Sequence, residues 1–156
     1  MIRRSIDPDV AELIFRLLFS SIFIVLGAEH LFRDELIQEL MPAWMPFPRL
    51  VSISAGALLL VGGASIALGF RMHWAATALG SFLIVVTLVV HIPGMLSHPA
   101  ELADEWRWLW DVHQRSNFIK NVCLLGVCFH FLYHEPGLYS LDRVLAAHDT
   151  PNPEPR

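Results

Sequence analysis

The chain is short of charge. Of its 156 residues only 17% are charged and 54% are hydrophobic, more apolar surface than an ordinary soluble domain of this length buries. A basic excess is also missing. Eleven Lys and Arg stand against fifteen Asp and Glu, so there is no cationic stripe to track phosphates and no nucleic-acid partner is expected. Cysteine is scarce: Cys123 and Cys128 sit five positions apart, roughly 7.5 Å along a helix axis and on different faces. That spacing excludes a disulfide within an intact helix and is not the C-x-x-C of a dithiol redox site, so both read as packing residues. A catalytic Ser, His, Asp set, a Gly-rich phosphate loop and a Cys/His zinc framework are absent at recognisable spacing. Arg3 and Arg4 ahead of an apolar stretch imitate a secretory signal. However, the stretch ends in Gly27, Ala28, Glu29 and His30 without a small-x-small cleavage pattern, and it reads as an uncleaved helix.

What the chain does have is long apolar sequence. Leu50 to Phe70 is twenty-one residues without a charge, enough at about 1.5 Å each to cross about 30 Å of hydrocarbon. Ser52 and Gly56, Gly63 and Ala67, and Ser65 and Gly69 recur there at four-residue spacing, the small residues through which membrane helices approach. Trp74 to Ile92 holds one titratable group, His91, and Pro93 with Gly94 predicts its end. Only Arg71, Met72 and His73 separate these spans, which forces an antiparallel hairpin. Residues 11–32 and 117–133 complete the set, with Arg16 and Lys120 expected to snorkel from near the span ends to the headgroups. The fold expected is all-α, an integral membrane four-helix bundle over residues 1–145, with a disordered tail over 146–156.

The first loop, with Met41 to Pro48, is expected to lie on or dip into the membrane interface. Pro99 to His113, with Glu101, Asp104, Glu105 and Asp111 beside Trp106, Trp108 and Trp110, is expected to form an interfacial helix or wedge. Placing Arg3, Arg4, Arg71, Arg143 and Arg156 inside, against Arg33, Arg49, Arg107 and Arg115 outside, favours N-in and C-in.

In that topology His30 and His91 reach the outer end on parallel spans, where Asn117, Lys120 and Asn121 enter on the fourth. Arg16, Ser20, Phe23, Gly27 and His30 form one stripe on the first helix; Thr77, Ser81, Ile84, Leu88 and His91 form another on the third. Polar stripes in a membrane face the bundle, because lipid cannot satisfy them. Glu29, His30, His91, Arg115, Asn117, Lys120 and Asn121 therefore make a candidate polar pocket, able to take an anionic or quinone-like head group or to relay protons. The plain alternative is that these groups only cap helices at headgroup level. A second set, Arg16, His73, His130 and His134, lies toward the inner side. His130 and His134 have the i, i+4 spacing of a metal pair, but no carboxylate shares their face and no metal site is expected. Haem between His30 and His91 is disfavoured, since both lie at the bundle edge.

The order of motifs resembles the DoxX family of small four-helix bacterial inner-membrane proteins. The likeness runs through Gly27-Ala28-Glu29-His30-Leu31-Phe32, Pro42-Ala43-Trp44-Met45-Pro46, Phe118-Ile119-Lys120-Asn121 and the closing Glu135-Pro136-Gly137-Leu138-Tyr139-Ser140-Leu141-Asp142. The resemblance implies an inner-membrane location and an association with redox chemistry. The family's namesake is a subunit of a thiosulfate:quinone oxidoreductase, and some relatives work beside soluble oxidoreductases or thiol enzymes. It implies no shared catalytic residues, and this chain departs from the redox pattern in having no paired cysteine motif. Two functions are thus expected: an accessory or quinone-binding subunit of a redox system, docking a soluble partner or forming a homo-oligomer, or a non-catalytic factor for membrane assembly, stress resistance or trafficking.

Overall fold

The computed structural model describes residues 6–149 except 40, 43 and 101; Arg3, Arg4, Ala43, Glu101 and the tail over 150–156 lie outside the described residues. The first helix, α1 (Pro8–Phe32), opens on a local signal that hydropathy passes over. The Asp7 carboxylate accepts from the Asp9 N–H at 2.8 Å, and Pro8 occupies a first-turn position whose N–H has no helical partner anyway. A short α2 (Asp34–Glu39) follows, then a loop, then α3 (Pro48–Leu68), again led in by proline. Gly69 ends α3 with φ +63 while the Phe70 N–H reaches Ser65 O at 2.9 Å, a closure that favours a residue without Cβ. The hairpin link is therefore Gly69 to Arg71 rather than Arg71 to His73. Gly69 acts as a helix stop, and Arg16 and Ser140 pack where its Cβ would be.

Pro93 does not stop the next helix. α4 (Met72–Val86) passes through a π turn at Thr87–His91 into α5 (Ile92–Leu96), one rod from Met72 to Leu96. In a regular helix Pro93 would leave the carbonyl four residues back unpaired and collide with it. Here the Ile92 N–H bonds Thr87 O, five residues back, and the register has slipped by one residue just ahead of the proline. The interfacial helix or wedge expected over 99–113 is helical from Asp104 but is not a separate element. A 3-10 turn at Asp104–Trp106 leads directly into α6 (Arg107–Tyr133), so the fourth long helix starts at 107 and not at 117. Finally α7 (Leu141–Asp149) runs across the tail boundary expected at 146, so residues 146–149 are helical.

Among the described residues three helices are long and apolar enough to cross a membrane: Pro8–Phe32, Pro48–Leu68 and Met72–Leu96. α6 carries Arg107, Asp111, Arg115 and Lys120 in its first half. α1 packs on α3, α3 on α4 and α4 on α6, each pair antiparallel. The first contact is closest where a Cβ on Gly27 would lie 2.8 Å from the Leu60 nitrogen and 2.9 Å from Gly56 O. Phe131 of α6 closes on α1 with its ring 5.4 Å from Phe15 and 5.2 Å from Phe19. Phe23, Leu59, Ile66, Leu79 and Leu83 fill the interior. The outer faces are also apolar, with Leu18, Val25, Val61, Val85 and Leu88 more than half exposed, a surface suited to lipid contact and larger than a monomer keeps in water.

One end of the molecule is clasped. Arg16 does not snorkel: it is fully buried. Its Nε donates to Glu12 at 2.9 Å, Nη1 to Ala67 O at 3.1 Å and Nη2 to Tyr139 O. The last carbonyls of α3 have no intrahelical donors, and the planar guanidinium supplies five N–H groups to that spot. The segment before α7 is tied down beside it. Leu138 N–H donates to Asp9 at 2.9 Å, and Arg71 N–H donates to Asp142 at 2.8 Å. At the same end His130 and His134 stack with ring centroids 4.7 Å apart, flanked by Phe15.

Candidate functional site

Away from the clasp the helices part around a cavity of about 290 Å³. Because neighbouring helices are antiparallel, this end gathers the last turns of α1, the first of α3, the π turn after α4 and the first half of α6. Ile37 of α2 and Met41 and Met45 of the first loop close one side, so the loop expected at the interface is part of the wall. Most of the lining is apolar: Phe23, Leu26, Ala55, Leu59, Phe82, Val86 and Leu124 among others. The polar lining consists of His30, His91, His113, Gln114, Asn117, Lys120 and Asn121.

His30 continues the buried stripe of Arg16, Ser20, Phe23 and Gly27. Its Nδ1 is 3.2 Å from Ser52 Oγ, and that hydroxyl donates to the His30 carbonyl at 3.3 Å. With the hydroxyl proton on that carbonyl, the tautomer that fits is the one in which the ring Nδ1–H donates to Oγ and Nε2 is an acceptor.

His91 reaches the cavity by another route. The stripe expected to bring it inward, Thr77, Ser81, Ile84 and Leu88, is exposed along its whole length. The buried face of α4 is Met72, Ala75, Ala76, Leu79, Gly80 and Leu83. One extra residue in the π turn offsets the following positions by about 100°, which swings His91 off the exposed stripe and onto the interior face. There its Nδ1 lies 2.8 Å from Gln114 Oε1. An amide oxygen only accepts, so Nδ1 donates and Nε2 is again free to accept.

Gln114 is almost fully buried and packs on Gly94, where a Cβ would lie 2.7 Å from its Cδ. Trp110 Nε1 donates to Gly94 O at 2.7 Å and fixes α5 against α6. Two turns further in, Asn121 donates to Thr87 Oγ1 at 3.0 Å, and Lys120 Nζ donates to Asn117 Oδ1 at 2.7 Å.

Five of the seven residues expected in the pocket, His30, His91, Asn117, Lys120 and Asn121, line this one cavity. Glu29 and Arg115 do not: both are exposed, one step around the helix from His30 and Gln114. Ser52, His113 and Gln114 were missed. Gln114, Asn117 and Asn121 follow i, i+3, i+7, a signal that was readable once the helix is started at 107 instead of 117. Among the described residues no His, Cys, Asp and Glu group has the makings of a metal site. The cavity holds on the order of ten water-sized groups.

The DoxX family profile matches residues 11–92, from the first turn of α1 to the first residue of α5. The chain belongs to the DoxX family. No curated protein and no solved structure matches it. The DoxX match covers three walls of the cavity, with His30, Ser52 and His91; α6 and the segment that Arg16 clasps lie beyond the matched residues.

Proposed function

We propose that this DoxX-family protein sits in a bacterial inner membrane as a four-span bundle, N-in and C-in, with α6 as the fourth span. Its cavity holds the head group of a small amphiphile, quinones included. In this reading it is an accessory subunit of a redox system and not an enzyme on its own, and its cavity end faces outward toward a soluble partner. The observation that carries the proposal is the make-up of the cavity: paired polar groups at one side of an otherwise apolar space. Val51 of α3 and Val85 of α4 line it and are also exposed on the apolar surface. A tail too long for the cavity would leave between these two valines and lie among lipid chains.

Mass spectrometry of solvent extracts from the purified protein tests the assignment. A stoichiometric amphiphile is the expected result; a ligand-free protein that binds no added quinone would remove it. Reporters fused near residues 103 and 146 test the topology, with a periplasm-only reporter expected to work at the first site and stay silent at the second. Unimpaired function after His30, His91 and Lys120 are all changed to Ala would favour the scaffold reading.

A further inference from the structure

Resting on the amphiphile-binding reading, we infer that the cavity selects an acid with a hydroxyl. Its head carries one anionic oxygen held by Lys120 and an O–H that donates to the Nε2 of His30 or His91.

Lys120 is the only lysine in the chain. It is half-buried on the cavity wall and donates to one neutral partner, Asn117. The ion pairs among the described residues are Arg16 with Glu12, Arg49 with Asp34, His98 with Asp111 and Arg107 with Asp104, and no Asp or Glu lines the cavity. An ammonium has three N–H donors, and one removed from water without an anion is costly. Two donors and one positive charge therefore await a ligand.

The imidazoles state a second requirement. Ser52 and Gln114 lie against Nδ1 of His30 and His91; in the Nδ1–H tautomer that these partners fit, each ring offers a lone pair at Nε2 and needs a donor. A fully oxidised quinone presents carbonyl acceptors only, which suit Lys120 but not the histidines. A head bearing both O⁻ and O–H, such as a hydroxyaryl carboxylate or a singly deprotonated quinol, suits Lys120 and one of the two histidines. The volume agrees with a single small ring, with any longer chain passing out between Val51 and Val85.

The test uses the full chain in phosphatidylcholine nanodiscs, with three probes that share an octyl chain: a para-hydroxybenzoate, its neutral carboxamide, and its methyl ether, which lacks the hydroxyl. Calorimetric titration, corrected with empty discs, is expected to show the acid binding about tenfold or more tighter than the carboxamide. The methyl ether should fall between them. Lys120→Met should erase the preference for the acid while still binding the carboxamide, which shows that the variant is folded; Lys120→Arg should keep the preference. As a second readout, an amine-reactive reagent should modify Lys120 more slowly when the acid is bound, with peptide mapping separating that signal from the terminal amine. Discs containing phosphatidylglycerol identify the source of the head group: competition with the acid points to a bilayer lipid, and its absence to a free acid. Equal affinity for acid and carboxamide overturns this inference but leaves the amphiphile reading intact. Failure of all three probes, with an empty extract, removes both.

Discussion

Replacing Arg16 by Met tests the clasp most directly, because Met keeps the apolar stem of the buried side chain and removes the charged, donating guanidinium. Arg16 is fully buried, with Glu12, Ala67 O and Tyr139 O all within hydrogen-bonding distance of its guanidinium. Without it the Glu12 carboxylate, 11% exposed, has no cation, and two carbonyls lose a charged donor. Breaking one side of a buried pair costs about 3–5 kcal/mol, much of it from the stranded partner. Removing the partner as well should relieve part of that, so Glu12→Gln with Arg16→Met should cost less than Arg16→Met alone. Reversible unfolding in mixed micelles, followed by circular dichroism, measures both. Tyr139 also loses its tether, so cleavage after Tyr139 by chymotrypsin should accelerate in the single variant. The reasoning fails if Arg16→Met stays within about 1 kcal/mol of the parent, or if the double variant costs the sum of the two single changes.

Gly27→Ala should separate α1 from α3, because the new Cβ meets backbone on both sides at 2.8 and 2.9 Å; a loss of about 1–3 kcal/mol in the same unfolding assay is expected, and unchanged stability would show that the helices slide freely. Pro93→Ala restores a backbone donor and frees the segment to return to regular helix, which turns His91 away by about 100°. Probe binding should then fall with helix content unchanged; full binding would disconnect the π turn from the proline. A lipid-soluble maleimide should modify Cys123, which is exposed, well before Cys128, which is 2% exposed, and the reverse order would place α6 the wrong way round.

What was legible in the sequence was whatever depends on composition and α-helical period. The central hairpin follows from two charge-free runs, and the α1 face follows from Arg16, Ser20, Phe23, Gly27 and His30, because α1 keeps one register from Pro8 to Phe32. The same period misread α4, where a face polar at its ends turned out to be exposed. Serine and threonine can satisfy themselves against their own helix, as Thr77 does by donating to His73 O at 2.7 Å, so a hydroxyl in a membrane helix points inward less reliably than a histidine does. Arg16 was placed at a headgroup because it lies near the end of its span, where a long side chain can snorkel; within its own helix Glu12 receives only its Nε. The receiving carbonyls come from Ala67 and Tyr139, both far along the chain, and only tertiary structure brings them together.

His91 makes the cavity depend on a backbone irregularity that no hydropathy pattern records. A π turn is less well hydrogen-bonded than the helix it interrupts and persists where something downstream requires it. Pro93 requires a register change on its N-terminal side, and Gly94 then lets Gln114 and Trp110 close on the backbone of α5. The Gln114 that fixes Gly94 also accepts from His91. Proline, glycine and histidine thus form a single local device: the first displaces the register, the second admits α6, and the third is carried inward by about 100° as a result. The clasp at the opposite end has no such irregularity and is held by charge instead. Variants at Arg16 should therefore report in stability before ligand binding, and variants at Pro93 in ligand binding before stability.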